Sequence, residues 1–194
     1  MKNIAIFASG AGSNAKKIIE HFAGDTKLKV ALVVTNKPTA GVVQIAKENG
    51  LPTLVVEKDR FFRDDAYVAE LAHYDIDLLV LAGFLWKIPD RLIHAFPLRI
   101  INIHPALLPK YGGKGMFGEH VHRAVLENGE TESGITIHFV DEHYDNGDII
   151  FQAKCPVMPG DSAQSLASRI HELEHAHYPG VIAEVLAKLS KTGW

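Results

Sequence analysis

A single cysteine in 194 residues rules out an internal disulfide, so packing and hydrogen bonding alone must hold this chain, and Cys155 suits a reducing cytoplasm. No apolar run reaches the ~20 residues a membrane-crossing helix needs. The opening MKNIAIFASG starts like a secretory leader, but Ser9, Gly10 and Asn14 break its apolar stretch and no small-x-small cleavage pattern follows. There is no Lys/Arg block either: 20 basic residues stand against 23 acidic ones for a net charge of −3, which argues against nucleic acid and membrane surfaces as partners. Repeats, low-complexity tracts and linkers are absent too. What is present, 47% hydrophobic and 22% charged residues, is the composition of an ordinary globular chain, and its length fits one domain.

Short apolar runs at residues 3–8, 28–34, 54–56, 78–82 and 99–103 alternate with helical spacing at 15–23, 41–49 and 60–73. That alternation predicts right-handed βαβ units around a parallel sheet. Beyond it, 134–140 and 148–157 are longer and more alternating, as antiparallel strands are, and a helix over 161–188, capped by Asp161, closes the chain. The expectation is an α/β fold, a Rossmann-like three-layer arrangement with a mostly parallel central sheet and a mixed C-terminal part. The glycine-rich YGGKGMFGEH at 111–120 has the composition of a mobile loop.

Three stretches carry chemistry. SGAGSN (9–14) sits where a strand hands over to a helix, so free backbone N–H groups and the helix start favour a phosphate there. It is neither the dinucleotide fingerprint, which needs a third glycine and an acid ending the second strand where Asn36 stands, nor a Walker loop. The plainer alternative is a glycine turn with a polar helix cap. In INIHPALLPKY (101–111), the strand period of two puts Asn102 and His104 on one face, ~6.6 Å apart, and Pro105 ends the strand at the carboxyl edge, where open α/β sheets bind ligands. The plainer alternative is a strand-to-loop turn satisfied by backbone. DEHYDNGD (141–148) lacks calcium-loop spacing and reads as a solvated turn unless folding carries Asp145 to His104, where a carboxylate would raise the protonated fraction of the imidazole. The 11 histidines form loose clusters (His120 and His122; His171, His175 and His177) without zinc-site spacing, so no metal is expected. Phe84 and Trp86 in LAGFLWKIP follow a strand and either line an apolar pocket or fill core.

Taken in order, SGAGSN, LAGFLWKIP, INIHPALLPKY, SGITIHFVDEHYDNGDII and RIHELEHAHYP resemble the phosphoribosylglycinamide formyltransferases, nearly from end to end. The resemblance implies transfer of a formyl group from 10-formyltetrahydrofolate, as cosubstrate, to the glycinamide amine of a ribose 5-phosphate in purine synthesis. Residue by residue it implies Asn102, His104 and Asp145 as the catalytic three, and Gly12, Ser13, Asn14 and Glu174 as the phosphoribosyl site. Leu85, Trp86, Lys87, Ile88 and Asn102, with Val140, Asp141, Glu142, His143, Tyr144 and Asp145, would then bind folate. A single domain over 1–194 follows, its 1–100 half holding phosphate and its 101–194 half supplying catalysis and folate contacts. At Trp86 the family often has arginine, and 111–120 is longer here than in many relatives. The residue chemistry agrees: amine attack on a formyl carbon builds a negative oxygen that needs donors placed in advance, the Asn102 amide and a His104 kept charged by Asp145. The same three residues would serve another folate-dependent formyltransferase or a formyltetrahydrofolate hydrolase. A non-catalytic phosphate-binding domain would explain the glycine loop but not the trio.

Overall fold

Strands covered on both faces must be apolar throughout, and the short runs of the N-terminal half meet that condition. In the computed structural model, which describes residues 1–191, they form β1 (Lys2–Phe7), β2 (Leu28–Thr35), β3 (Thr53–Val55), β4 (Ile76–Leu81) and β5 (Ile100–His104). Between them lie α1 (Ser13–His21), α2 (Gly41–Glu48), α3 (Lys58–Arg63), α4 (Ala66–His73) and α5 (Asp90–Ala95). The chain ends with α6 (Glu119–Glu127), β6 (Glu132–Phe139), β7 (Ile149–Pro156) and α7 (Ala163–Lys191). Strand order is β3-β2-β1-β4-β5-β6-β7. The first five strands run parallel, β6 is antiparallel to β5, and β7 is antiparallel to β6. This is the mostly parallel sheet with a mixed C-terminal part that the patterning predicts.

Alternate residues of each strand enter two separate cores. Ile4, Ile6, Val80, Ile101, Ile103 and Ile137 face α1, α2, α6 and α7, whereas Ala5, Phe7, Leu79, Leu81 and Ile100 face α3, α4 and α5. Tyr178 locks α7 onto the sheet, its hydroxyl donating to the Leu81 carbonyl at 2.8 Å with the Ile101 carbonyl at 3.4 Å. The central strands β4 and β5 are thereby tied to the last helix.

Local differences from the sequence expectation have local causes. The single helix expected over 60–73 is two, because Asp64 is extended (φ −132°, ψ 174°) and its carboxylate accepts the Ala66 N–H at 2.9 Å. Helices α5 and α6 lie in segments expected as connections; they are short and bury few residues, Leu92 in the first and Val121, His122 and Val125 in the second. At the start of α7 the cap is Ser162, whose Oγ accepts the Ser165 N–H at 3.1 Å, rather than Asp161. Asp161 instead accepts the Met158 N–H and holds the Arg169 guanidinium.

The connections of a parallel sheet diverge where the strand order reverses, here between β1 and β4, and leave a crevice at the carboxyl ends. Buried Ser9 fixes its two rims: its N–H donates to the Gly83 carbonyl at 3.0 Å and its Oγ accepts the Leu85 N–H at 2.9 Å.

Candidate active site

A cavity of about 830 Å³ occupies this crevice. Its two ends differ in chemistry. At one end Gly12, in the left-handed region at φ +81°, turns β1 into α1. A Cβ there would stand 2.9 Å from Val42 Cβ and 3.0 Å from Val42 Cα, so the loop is pressed onto α2 too closely for any side chain. No side chain caps α1, which leaves its first N–H groups, beginning at Ser13, without intrahelical partners beside the cavity. The Asn14 side chain turns to α7 instead, its Nδ2 donating to Glu174 Oε2 at 2.8 Å. His171 Nδ1 meets the same oxygen at 2.8 Å, and that bond raises the His171 pKa. Glu174 is only 4% exposed, a buried acceptor at a helix start that favours anions.

At the other end β5 delivers Asn102 and His104, and β6 sets His138 directly opposite Asn102. His138 Nδ1 lies 2.7 Å from the Phe139 carbonyl, which can only accept, so the proton sits on Nδ1. Its Nε2 therefore accepts from the Asn102 amide at 3.1 Å, which fixes that amide's orientation and leaves its second N–H unused by His138. His104 Nε2 donates to the Tyr111 carbonyl at 2.7 Å, and Nδ1 lies 3.6 Å from Asp145 Oδ2. The folded chain thus carries Asp145 across to His104, with its other oxygen 3.7 Å from His138 Nε2. The backbone N–H of Gly113 donates to Asp145 Oδ2 at 2.9 Å, which ties the glycine-rich segment to the acid. The loop after β5 is pinned from behind: Thr136 Oγ1 donates to the Ala106 carbonyl and accepts the Leu108 N–H, and Gln152 bonds both Thr136 and the Leu108 carbonyl.

Electrostatics correct one expectation. Burial holds the His104 pKa below its ordinary 6.5, outweighing the upward pull of Asp145 and of the Tyr111 carbonyl. That direction favours the neutral imidazole over a standing cation. Burial pushes the Asp145 carboxyl upward, but His138 and His104, protonated in the acid range where a carboxyl titrates, and the Gly113 N–H outweigh it and leave the acid below its usual range. An ionised carboxylate thus stands beside a neutral imidazole.

Leu85, Trp86, Lys87 and Ile88 also line the cavity, as do Val140, Asp141, His143, Tyr144 and Asp145. Phe84 and Trp86 fill both roles considered for them: they line the cavity and also pack against Phe61. Of the residues expected from sequence in the catalytic, phosphoribosyl and folate sites, Glu142 alone does not line the cavity; its carboxylate is turned to His94 Nε2 at 2.9 Å. The histidine clusters divide similarly. His122 and His171 reach the cavity, His175 stacks on His171, and His177 lies against the Phe151 ring. Among the described residues no group of three or more His, Cys, Asp or Glu is arranged to hold a metal. The sequence reading missed His138 and Thr136, although both alternate with Ile135 and Ile137 at the same period of two that marked Asn102 and His104.

A parallel sheet with an uncapped helix start and an Asn-x-His strand end meeting an acidic loop defines a class, and comparison agrees. The formyl transferase family model matches residues 2–182, and the chain belongs to that family. Within it the chain is 45% identical over 190 residues to the chloroplastic phosphoribosylglycinamide formyltransferase of Arabidopsis thaliana, covering 95% of this chain and 65% of that one. It is 40% identical over 187 residues to the Escherichia coli phosphoribosylglycinamide formyltransferase, covering 93% and 85% of the two chains. The solved phosphoribosylglycinamide formyltransferase of Bacillus halodurans superposes with a TM-score of 0.86 at 34% identity, over 97% of both chains. This chain thus spans less than two thirds of the plant relatives' length, 65% in Arabidopsis and 60% in Vigna unguiculata. No helix among the described residues is long and apolar enough to cross a membrane.

Proposed function

We propose that this chain transfers the formyl group of 10-formyltetrahydrofolate to the amine of 5'-phosphoribosylglycinamide, a step of purine synthesis. The observation that carries the reading is one continuous cavity with the uncapped start of α1 and buried Glu174 at one end and Asn102, His104, His138 and Asp145 at the other. The phosphate binds the N–H groups that begin α1 at Ser13, and Glu174 accepts from the ribose hydroxyls. Folate lies along 85–88 and the loop 140–145, where the backbone offers bonds and Leu85, Trp86 and Ile88 offer apolar surface.

Each catalytic residue then has a task. The second N–H of Asn102, its orientation held by His138, donates to the formyl oxygen as negative charge grows there. His104 Nδ1, neutral at rest, takes the proton that the attacking amine must lose. The imidazolium so formed is stabilised by Asp145 at 3.6 Å, and its charge adds to the stabilisation of the oxyanion. Return of that proton to the departing folate nitrogen completes the transfer. Mixing the chain with 10-formyltetrahydrofolate should release tetrahydrofolate only when phosphoribosylglycinamide is added. Release without the amine would make the chain a hydrolase, and no release with it would refute the reading.

A further inference from the structure

We infer that His122 is a specificity-determining residue, donating a hydrogen bond from Nε2 to the amide carbonyl of the glycinamide arm. This rests on the substrate proposed above. His122 lies on α6, which packs on α7, and it is 3% exposed; the same stripe of the helix otherwise buries Val121 and Val125. An apolar side chain would serve packing there at lower cost, because the buried His122 Nδ1 has no hydrogen-bond partner. Yet the residue lines the cavity. A buried N–H without an acceptor is rarer and costlier than a lone pair without a donor, so the proton belongs on Nε2, the ring nitrogen left to face the cavity. Burial also lowers the His122 pKa, which keeps the ring neutral and gives it one fixed N–H to offer.

The position decides what that N–H meets. The titratable groups within electrostatic reach of His122 are His171 and Glu174, His104, and Glu119 on its own helix. His122 lines the cavity within reach of Glu174 at the phosphoribosyl end and of His104 at the formyl end. Only the arm linking ribose to the reacting amine lies at that level in a bound phosphoribosylglycinamide, and its one carbonyl oxygen matches a single neutral donor. A donor there discriminates strongly, because a ligand without the carbonyl leaves the imidazole unpaired.

Calorimetric titration of phosphoribosylglycinamide and of ribose 5-phosphate, which lacks the arm, tests the assignment. His122→Phe should weaken the first ligand roughly tenfold to a hundredfold and leave the second nearly unchanged. His122→Gln, whose amide reaches the place of Nε2, should restore most of the loss, whereas His122→Asn, which reaches only the place of Nδ1, should not; this pair decides the matter even if the phenylalanine variant does not fold. Equal losses for both ligands, no loss for either, or glutamine as weak as phenylalanine would overturn the inference. A parental protein that binds no phosphoribosylglycinamide would instead overturn the functional reading on which it stands.

Discussion

Replacing Asp145 by Asn removes one charge and almost nothing else. Asp145 adopts a left-handed backbone (φ 52°), a conformation Asn tolerates as well, and an amide oxygen can still accept the Gly113 N–H. Folding should be nearly unaffected. What disappears is the attraction between a carboxylate and the imidazolium that His104 becomes, across 3.6 Å in a pocket where the acid is 12% exposed. With an effective dielectric constant of about 20 that attraction is at most about 4.6 kcal/mol, on the order of a thousandfold in rate. A carboxamide N–H introduced by the substitution and aimed at His104 Nδ1 would further oppose proton uptake. The assay is single-turnover formyl transfer at saturating substrates, with thermal melting of the same samples as the folding control. An Asp145→Asn variant that melts like the parent yet keeps more than about a tenth of the parental rate would refute the proton-acceptor role assigned to the His104 and Asp145 pair.

Three further outcomes are expected. Ser13→Asp sets a carboxylate at the uncapped start of α1 and should weaken phosphoribosylglycinamide by at least tenfold, roughly, with folate affinity little changed; parallel titrations showing equal losses would contradict a phosphate site there. Tyr178→Phe leaves the Leu81 and Ile101 carbonyls without their buried hydroxyl and should cost about 1–3 kcal/mol in urea denaturation, and an unchanged midpoint would show that α7 is not held at that point. The pH dependence of stability has a definite sign. His104, His122 and His175 have folded pKa values below the ordinary 6.5, so the unfolded chain binds more protons there and stability is lost as pH falls from 6.5 through those folded values. His171, raised by Glu174, opposes this singly, its contribution fading as pH rises above 6.5. Denaturation midpoints should therefore drop between about pH 7.5 and 5.5 in the ligand-free protein; a flat or rising profile would show that these buried imidazoles are not held neutral.

Features that are periodic or covalent were legible in the order of residues alone. Continuous apolar runs fixed the parallel strands, the switch to alternation after residue 130 announced the antiparallel pair, and Pro105, next to His104, marked where β5 must stop. Two residues apart on one strand, Asn102 and His104 could only share a face. Short helices such as α5 and α6 stayed hidden because a turn or two of helix buries too few residues to stamp a period. The rest emerges only when distant segments pack together. Asp145 lies 41 positions beyond His104 along the chain, and nothing local says that an acidic turn will fold back within 3.6 Å of it. The charge of His104 was likewise beyond local reading: the carboxylate nearby suggests a cation, but desolvation by the surrounding core is the larger effect and holds the ring neutral. Burial belongs to the assembled fold, where both layers and the last helix close over the sheet, and that is why proton affinity could be settled only there.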